Sequence, residues 1–329
     1  MKESFKAFRI YAENNFERAG VESLTLDDLS PGDVVIRVEY SGVNYKDALA
    51  GSGQGKILRK SPLNGGIDLA GVVVSSESDQ FKTGQSVLVN GSGLSEVHDG
   101  GYSQYARVPA DWVVPMPTGL NSKTSMIIGT AGFTAALAIQ RMQDNHQAPE
   151  QGPVLVTGAT GGVGSFAVQL LSQLGFEVVA MTRKADQHDY LYSLGANKII
   201  DNSEVKIDSA SMHKGRWAGA IDNLGGETLA WLTKSLKPWG NIVSIGMAGG
   251  VAMNTSTMPF ILRGVSLLGV TSAACPQALR KQVWNRLGGE LLPGNFDQVC
   301  SDEIALEQLP EAFSNLLNGK TIGRQLVCL

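Results

Sequence analysis

Pro153-Val-Leu-Val-Thr-Gly-Ala-Thr-Gly-Gly-Val-Gly164 is the stretch whose reading decides the fold. Val154, Leu155 and Val156 form an uninterrupted apolar run, the pattern of a strand buried on both faces of a parallel sheet. Gly158, Gly161, Gly162 and Gly164 then crowd into a turn. After it Val163, Phe166, Ala167, Leu170, Leu171 and Leu174 recur at helical spacing until Gly175 supplies a stop. Strand, glycine turn and amphipathic helix together make a dinucleotide-binding entry. Unsatisfied N–H groups and the positive end of the helix dipole favour a pyrophosphate there, and glycine lets the phosphates come close. Ala159 breaks the strict G-x-G-x-x-G spacing, but its later part survives, so Gly161, Gly162, Val163 and Gly164 are the expected phosphate-binding residues. A tight turn without a ligand is the alternative reading.

The next strand, Glu177-Val-Val-Ala-Met-Thr182, bears on which dinucleotide is bound. An NAD site places an Asp or Glu about 20 residues past the glycines to hold the ribose hydroxyls. Here the strand ends in Thr182, Arg183 and Lys184, a hydroxyl and two cations that suit a 2′-phosphate, so NADPH is the expected cofactor. Arg183 and Lys184 also suit the opening of a solvated helix, and Lys198, just before the following strand, fits either role.

Working outward, 329 residues leave room for about two domains. Repeating strand and helix units are expected to place strands at 153–158, 177–182, 197–201, 218–222, 240–246 and 265–270, a doubly wound parallel sheet. Ligands of such sheets sit beyond the carboxyl ends of the strands, which nominates Gly246, Met247, Thr271 and Ser272 as cofactor neighbours. Residues 1 to about 120 read instead as short strands between turns: Phe5 to Ile10, Val34 to Tyr40, Gly71 to Val74, Ser86 to Val89 and Tyr105 to Val108. From Asn121 the pattern turns helical, with Ser122 as its expected cap. The tail offers a helix with Leu309, Ala312, Phe313, Leu316 and Leu317 on one face and a last strand from Arg324, both expected to return to the β-rich module. The fold class is thus α/β. A β-rich domain spans 1–120 and is completed by 295–329, and the nucleotide domain spans 121–294.

Net charge is −4 with no long run of one sign, which points away from nucleic acid and anionic membranes as partners. Cys275, Cys300 and Cys328 are far apart and show no C-x-x-C spacing, so neither a disulfide framework nor a structural zinc lobe is expected. The N-terminus lacks a signal-peptide core and no apolar run reaches bilayer length, so a cytoplasmic location is expected. His98 beside Asp99 reads as a surface loop pair in preference to a metal site.

A β-module, a nucleotide domain and a return resemble the medium-chain dehydrogenase/reductase superfamily, with its GroES-like catalytic domain and Rossmann domain. Ser41-Gly-Val-Asn-Tyr-Lys-Asp47, Gly65-Gly-Ile-Asp-Leu-Ala-Gly71, Met126-Ile-Ile-Gly-Thr-Ala-Gly-Phe-Thr-Ala135 and Met258-Pro-Phe-Ile-Leu-Arg263 are similar to its zinc-free quinone oxidoreductase group, specifically the acryloyl-CoA reductase branch. Zinc alcohol dehydrogenases place a Cys after Gly-Val and a Gly-His-Glu in the next motif. This chain has Asn44 and Gly66-Ile67-Asp68, so no metal is expected.

Without a metal, a nicotinamide hydride suits an activated alkene, whose carbonyl oxygen takes up charge held by hydrogen-bond donors before the α-carbon is protonated. Tyr45 and Asn44 replace the zinc-ligand loop and are the candidate catalytic residues. Tyr45 either donates a proton or hydrogen bond or packs against the nicotinamide without titrating; Asn44 orients the oxyanion or the cofactor ribose. Asp47 is read as a cap of the following turn. The resemblance also places Thr134 near the nicotinamide and brings Asn318 to the cofactor from the tail. Lys56, Arg59 and Lys60 lie on a glycine-rich loop and read either as solvated charges or as contacts for coenzyme A phosphates. The expected activity is NADPH-dependent reduction of acryloyl-CoA to propanoyl-CoA. An NADPH:quinone oxidoreductase, a non-catalytic NADPH-binding redox sensor and a zinc alcohol dehydrogenase are the rivals. Val265 to Val270 would be an exposed sheet edge, whose pairing predicts a homodimer, as the resemblance also implies.

Overall fold

The structure, a computed structural model, describes residues 4–13, 16–205 and 208–329. The chain divides into two compact units: Met1–Ala131 with Ser272–Leu292 and Val299–Leu329, and Gly132–Thr271 with Pro293–Gln298. Residues 121–131 and 272–292 therefore belong with the β-rich unit, whereas a division at 120 and 295 assigns them to the nucleotide unit. Long-range bonds decide this. Arg324 Nε donates to Ile127 O, and the buried Arg280 and Trp284 both donate to Asn90 Oδ1.

In the first unit, β1 (Phe5–Glu13), β2 (Phe16–Leu24), β3 (Val34–Gly42), β4 (Leu63–Asn64), β5 (Asp68–Ser76), β6 (Ser86–Asn90), β7 (Tyr105–Val108) and β8 (Val114–Pro115) precede the crossing to the second unit. β2, β1 and β4 form one small sheet. Alternation buries Val34, Ile36 and Val38 of β3 against Leu69, Val73, Val87 and Val89. The β2 strand is absent from the expected set because its sequence offers no clean alternation; antiparallel pairing along β1 holds it.

In the second unit, β9 (Val154–Val156), β10 (Val178–Thr182), β11 (Lys198–Asp201), β12 (Trp217–Asp222), β13 (Leu236–Ser244) and β14 (Ser266–Gly269) realise the six expected strands. They lie in the order β11-β10-β9-β12-β13-β14, every pair parallel. Back in the first unit, β15 (Cys300–Ile304) pairs with β16 (Arg324–Cys328), and β16 runs antiparallel to β3. Phe313 and Leu309 of the helix Leu309–Leu317 pack with Phe8 and Tyr102, so the tail does return to the β-rich unit. Among the described residues no helix is long and apolar enough to cross a membrane.

Two local expectations are corrected. Asn121, not Ser122, caps the helix: its Oδ1 accepts from Thr124 N at 2.9 Å, while Ser122 Oγ donates to Glu39. His98 and Asp99 are buried, not a surface pair. Asp99 accepts from Ser30 N, Ser30 Oγ and Asn64 N, and His98 Nε2 lies 2.8 Å from Arg107 O with its ring edge-on to Trp112. Burial holds the His98 pKa below the ordinary histidine value.

Candidate active site

Helix α1 (Tyr45–Gly51) begins directly after β3. Asn44 sits in extended backbone at its N-cap, and Asp47, one turn in, reaches back so that its Oδ2 accepts from Asn44 N at 3.0 Å. Asp47 does cap its helix, yet it is also wholly buried and does more. Oδ2 accepts from Asn44 Nδ2 at 3.0 Å, and Oδ1 accepts from Ile67 N at 2.9 Å.

A second buried carboxylate, Asp68, meets the same amide. Asn44 Nδ2 donates to Asp68 Oδ2 at 2.8 Å, Thr130 N donates to it at 2.9 Å, and Thr130 Oγ1 donates to Asp68 Oδ1. Arg324 closes the cluster from β16. Its Nη1 donates to Asn44 Oδ1 at 2.9 Å and Val43 O at 2.7 Å, and its Nη2 lies 3.6 Å from Asp68 Oδ2. Two glycines make the space. A Cβ at Gly42 would stand 2.4 Å from Arg324 Nη2; one at Gly129 would stand 2.5 Å from the same atom and 2.7 Å from Asp68 Oδ2. Gly129 also takes φ 48° and breaks the regular course of α2 (Ser122–Asp144), which a side chain would resist.

Two carboxylates and one guanidinium in a buried cluster leave one negative charge too many. Burial, and then the charge of Asp68, push the Asp47 carboxyl up to about 7. The Tyr102 hydroxyl, which donates to Gly42 O, is raised well above its ordinary value, chiefly by burial and next by these two carboxylates.

Asn44 therefore differs from its expected role. Both amide hydrogens are committed to Asp47, Asp68 and Gly42 O, and its carbonyl receives Arg324, so it braces the loop instead of offering a donor to an oxyanion. Tyr45, the neighbouring residue, is 48% exposed and its hydroxyl makes no hydrogen bond among the described residues. Nor does this cluster suit a metal. Tetrahedral zinc needs three or four Cys, His or carboxylate ligands. Here the carboxylate oxygens already face N–H and O–H donors and a guanidinium, and no group of three or more His, Cys, Asp or Glu that could hold a metal occurs among the described residues.

In the second unit the glycine turn enters α3 (Gly162–Gln173) with Gly161 as its N-cap. A Cβ on Gly164 would lie 2.3 Å from Gly158 O, so only glycine lets the helix close on the turn; Gly158 itself takes φ 58°. A Cβ on Gly161 would meet nothing nearer than 3.5 Å, leaving room at the helix start for a phosphate. Ala159 N donates to Met181 O, tying the turn to the end of β10, where Thr182 is buried and Arg183 exposed. Thr182 Oγ1 accepts from Lys184 N, and partial burial lowers the Lys184 pKa.

Lys198 is not brought to this place. It pairs with Val179 at the start of β11, three residues before the level of Thr182, which is about 10 Å toward the wrong end of the sheet. The other nominated residues divide between the units. Thr134, buried, and Met247, largely exposed, lie in the second. Ser272 and Asn318 lie in the first, where Ser272 O accepts from Arg280 and the Asn318 amide donates to Ser314 O at the end of its own helix. Sequence reasoning missed that Asp47, Thr130 and Arg324 join Asn44 and Asp68 in one buried cluster.

Two family models match the chain, an alcohol dehydrogenase GroES-like domain over residues 30–118 and a zinc-binding dehydrogenase over 162–287. The acrylyl-CoA reductase AcuI of Ruegeria pomeroyi is 42% identical, covering 96% of each chain. The chain belongs to the medium-chain dehydrogenase/reductase family. Within it, YhfP of Bacillus subtilis, provisionally named a quinone oxidoreductase, is 43% identical over 97% of this chain and 98% of its own. Its crystal structure with NAD bound superposes with a TM-score of 0.96 over the whole of both chains. The yhdH oxidoreductase of Salmonella enterica, crystallised with NADP, gives 0.95 at 44% identity, covering 98% of this chain and 99% of that one. The chain is thus an oxidoreductase of this family. Although one of its family models carries a zinc-binding name, its Asn44–Asp68–Arg324 cluster does not fit that metal.

Proposed function

We propose that this protein reduces the carbon-carbon double bond of an α,β-unsaturated thioester with NADPH, acryloyl-CoA to propanoyl-CoA being the leading reaction. The observation that carries it is the Asn44–Asp68–Arg324 cluster. Where a metal would polarise an alcohol or aldehyde, this chain sets a neutralised, hydrogen-bonded brace. What remains for the acceptor is the exposed Tyr45 hydroxyl. It offers a hydrogen bond to the carbonyl oxygen as charge moves there, or a proton to the α-carbon afterwards. When bound, the dinucleotide supplies the hydride that adds to the β-carbon. Gly161 to Gly164 would hold its pyrophosphate, and Thr182, Arg183 and Lys184 its 2′-phosphate. The acrylyl-CoA reductase among its relatives supports the acceptor, and the relative crystallised with NADP supports the cofactor.

A quinone acceptor is the second reading, favoured by the similarity to YhfP, and the structure of that relative with NAD makes NADH the competing cofactor. Steady-state oxidation at 340 nm tests all of these. Acryloyl-CoA and a simple benzoquinone are compared with NADPH and NADH, and a large kcat/KM advantage for acryloyl-CoA with NADPH is expected. Preference for the quinone would sink the thioester reading; preference for NADH would sink the 2′-phosphate site.

The protein is further proposed to form a homodimer through β14. This strand ends the parallel sheet, and beside it in sequence Ile261 is 76% and Leu262 63% exposed; Trp239, 77% exposed, packs against Gly264. A monomeric mass in sedimentation equilibrium would refute the dimer.

A further inference from the structure

The segment between α1 and β4 carries Lys56, Arg59 and Lys60, all exposed and none in an ion pair among the described residues. Lys6 and Arg37, exposed in the same unit, each face a carboxylate, Glu307 and Glu39, whereas exposed Lys82, Lys281 and Lys320 face none but stand singly along the chain. The loop is held in place. Ile57 and Leu58 pack against the core that contains Phe313, and Arg59 N donates to Glu96 O at 2.7 Å. Glu96, the nearby carboxylate, is already engaged by Lys46. The charge of Lys60 is felt at His98, two residues beyond Glu96. Three cations outside any ion pair thus lie within five residues of one anchored loop, on a chain whose net charge is −4.

We infer that this loop is a subsite for the phosphate groups of a coenzyme A thioester, with Lys56, Arg59 and Lys60 as its contacts. The inference rests on the thioester reading above and deepens it. The seven-residue α1 spans about 10 Å from Tyr45 to the loop, so the anionic end of a long substrate would be held apart from its reacting end. A guanidinium and two ammonium groups match a pyrophosphate and a 3′-phosphate in charge and hydrogen bonding. A quinone has nothing for them to bind, so the loop selects by class.

The test is a triple variant, Lys56→Gln/Arg59→Gln/Lys60→Gln, assayed with NADPH against acryloyl-CoA and against the acryloyl thioester of N-acetylcysteamine, which lacks the phosphates. The ratio of kcat/KM for the two thioesters should fall about tenfold in the variant, through KM. Raising the salt should lower that ratio in the wild type and have less effect in the variant. An unchanged ratio would overturn the subsite. Calorimetric titration of both proteins with free coenzyme A tests the loop separately from turnover. Binding about tenfold weaker in the variant supports it, and equal binding overturns it. If neither thioester is reduced by the wild type, the proposed function fails, while the titration still decides the subsite.

Discussion

Replacing Asp47 by Asn should change the way stability depends on pH, and the structure gives both sign and size. The Asp47 carboxyl, held up to about 7 by burial and by Asp68, binds its proton more tightly in the folded chain than in the unfolded one, where an aspartate titrates near 3.9. A native state that binds more protons loses stability as pH rises. The loss begins as the unfolded carboxyl ionises and is complete once pH has passed about 7. Each unit of pH in that window is worth a little over 1 kcal/mol, so between pH 5 and 8 this one group should lower wild-type stability by roughly 2–3 kcal/mol. The variant lacks the titration. It also turns an amide NH₂ toward the Asn44 N–H groups, a pH-independent loss of about 1–3 kcal/mol from unpaired buried donors. The variant should therefore be clearly less stable than wild type at pH 5 and close to it at pH 8. Urea unfolding of both proteins across that range, followed by near-ultraviolet circular dichroism, measures the difference; other titrations largely cancel in it. Parallel curves would refute the reasoning. So would a gain of wild type over variant with rising pH, the signature of an ionised Asp47 paired with Arg324.

Arg324→Met should leave Asp68 buried with no guanidinium and cost about 3–5 kcal/mol, seen as a large fall in Tm, because an uncompensated buried charge is dearer than the pair it came from. Gly164→Ala would drive a methyl to 2.3 Å from Gly158 O; it should abolish dinucleotide binding in a fluorescence titration or prevent folding, and unaltered binding would refute the role given to this glycine. Arg183→Ala/Lys184→Ala should lower kcat/KM for NADPH about tenfold and leave NADH nearly unaffected, and an equal loss with both would place the 2′-phosphate elsewhere.

The parts of this molecule that were legible from its sequence are those whose signals are local. Alternation in Val34–Val38 and the apolar run Val154–Val156 each carry their own period, so the strands and the parallel sheet could be read without knowing what they touch. The glycine turn is local too, and the clash a Cβ at Gly164 would make with Gly158 O gives the physical reason for its spacing. The place of Lys198 was not legible, because a residue's level in a parallel sheet depends on register with its neighbour, and β11 pairs so that this lysine begins the strand. The brace at the candidate site was hidden for a stronger version of the same reason. Asn44, Asp68, Thr130 and Arg324 come from four elements, and none carries a periodicity that points to the others. Asp47 looked complete as a helix cap, a role it does fill, so nothing local called for a second one. The trace that sequence did hold was glycine. Gly42 and Gly129 sit in motifs that marked the family resemblance, and each is small because the Arg324 guanidinium occupies the volume a side chain would need. A glycine in a strand end or a helix interior, where it costs stability, is thus a pointer to a buried group arriving from far along the chain.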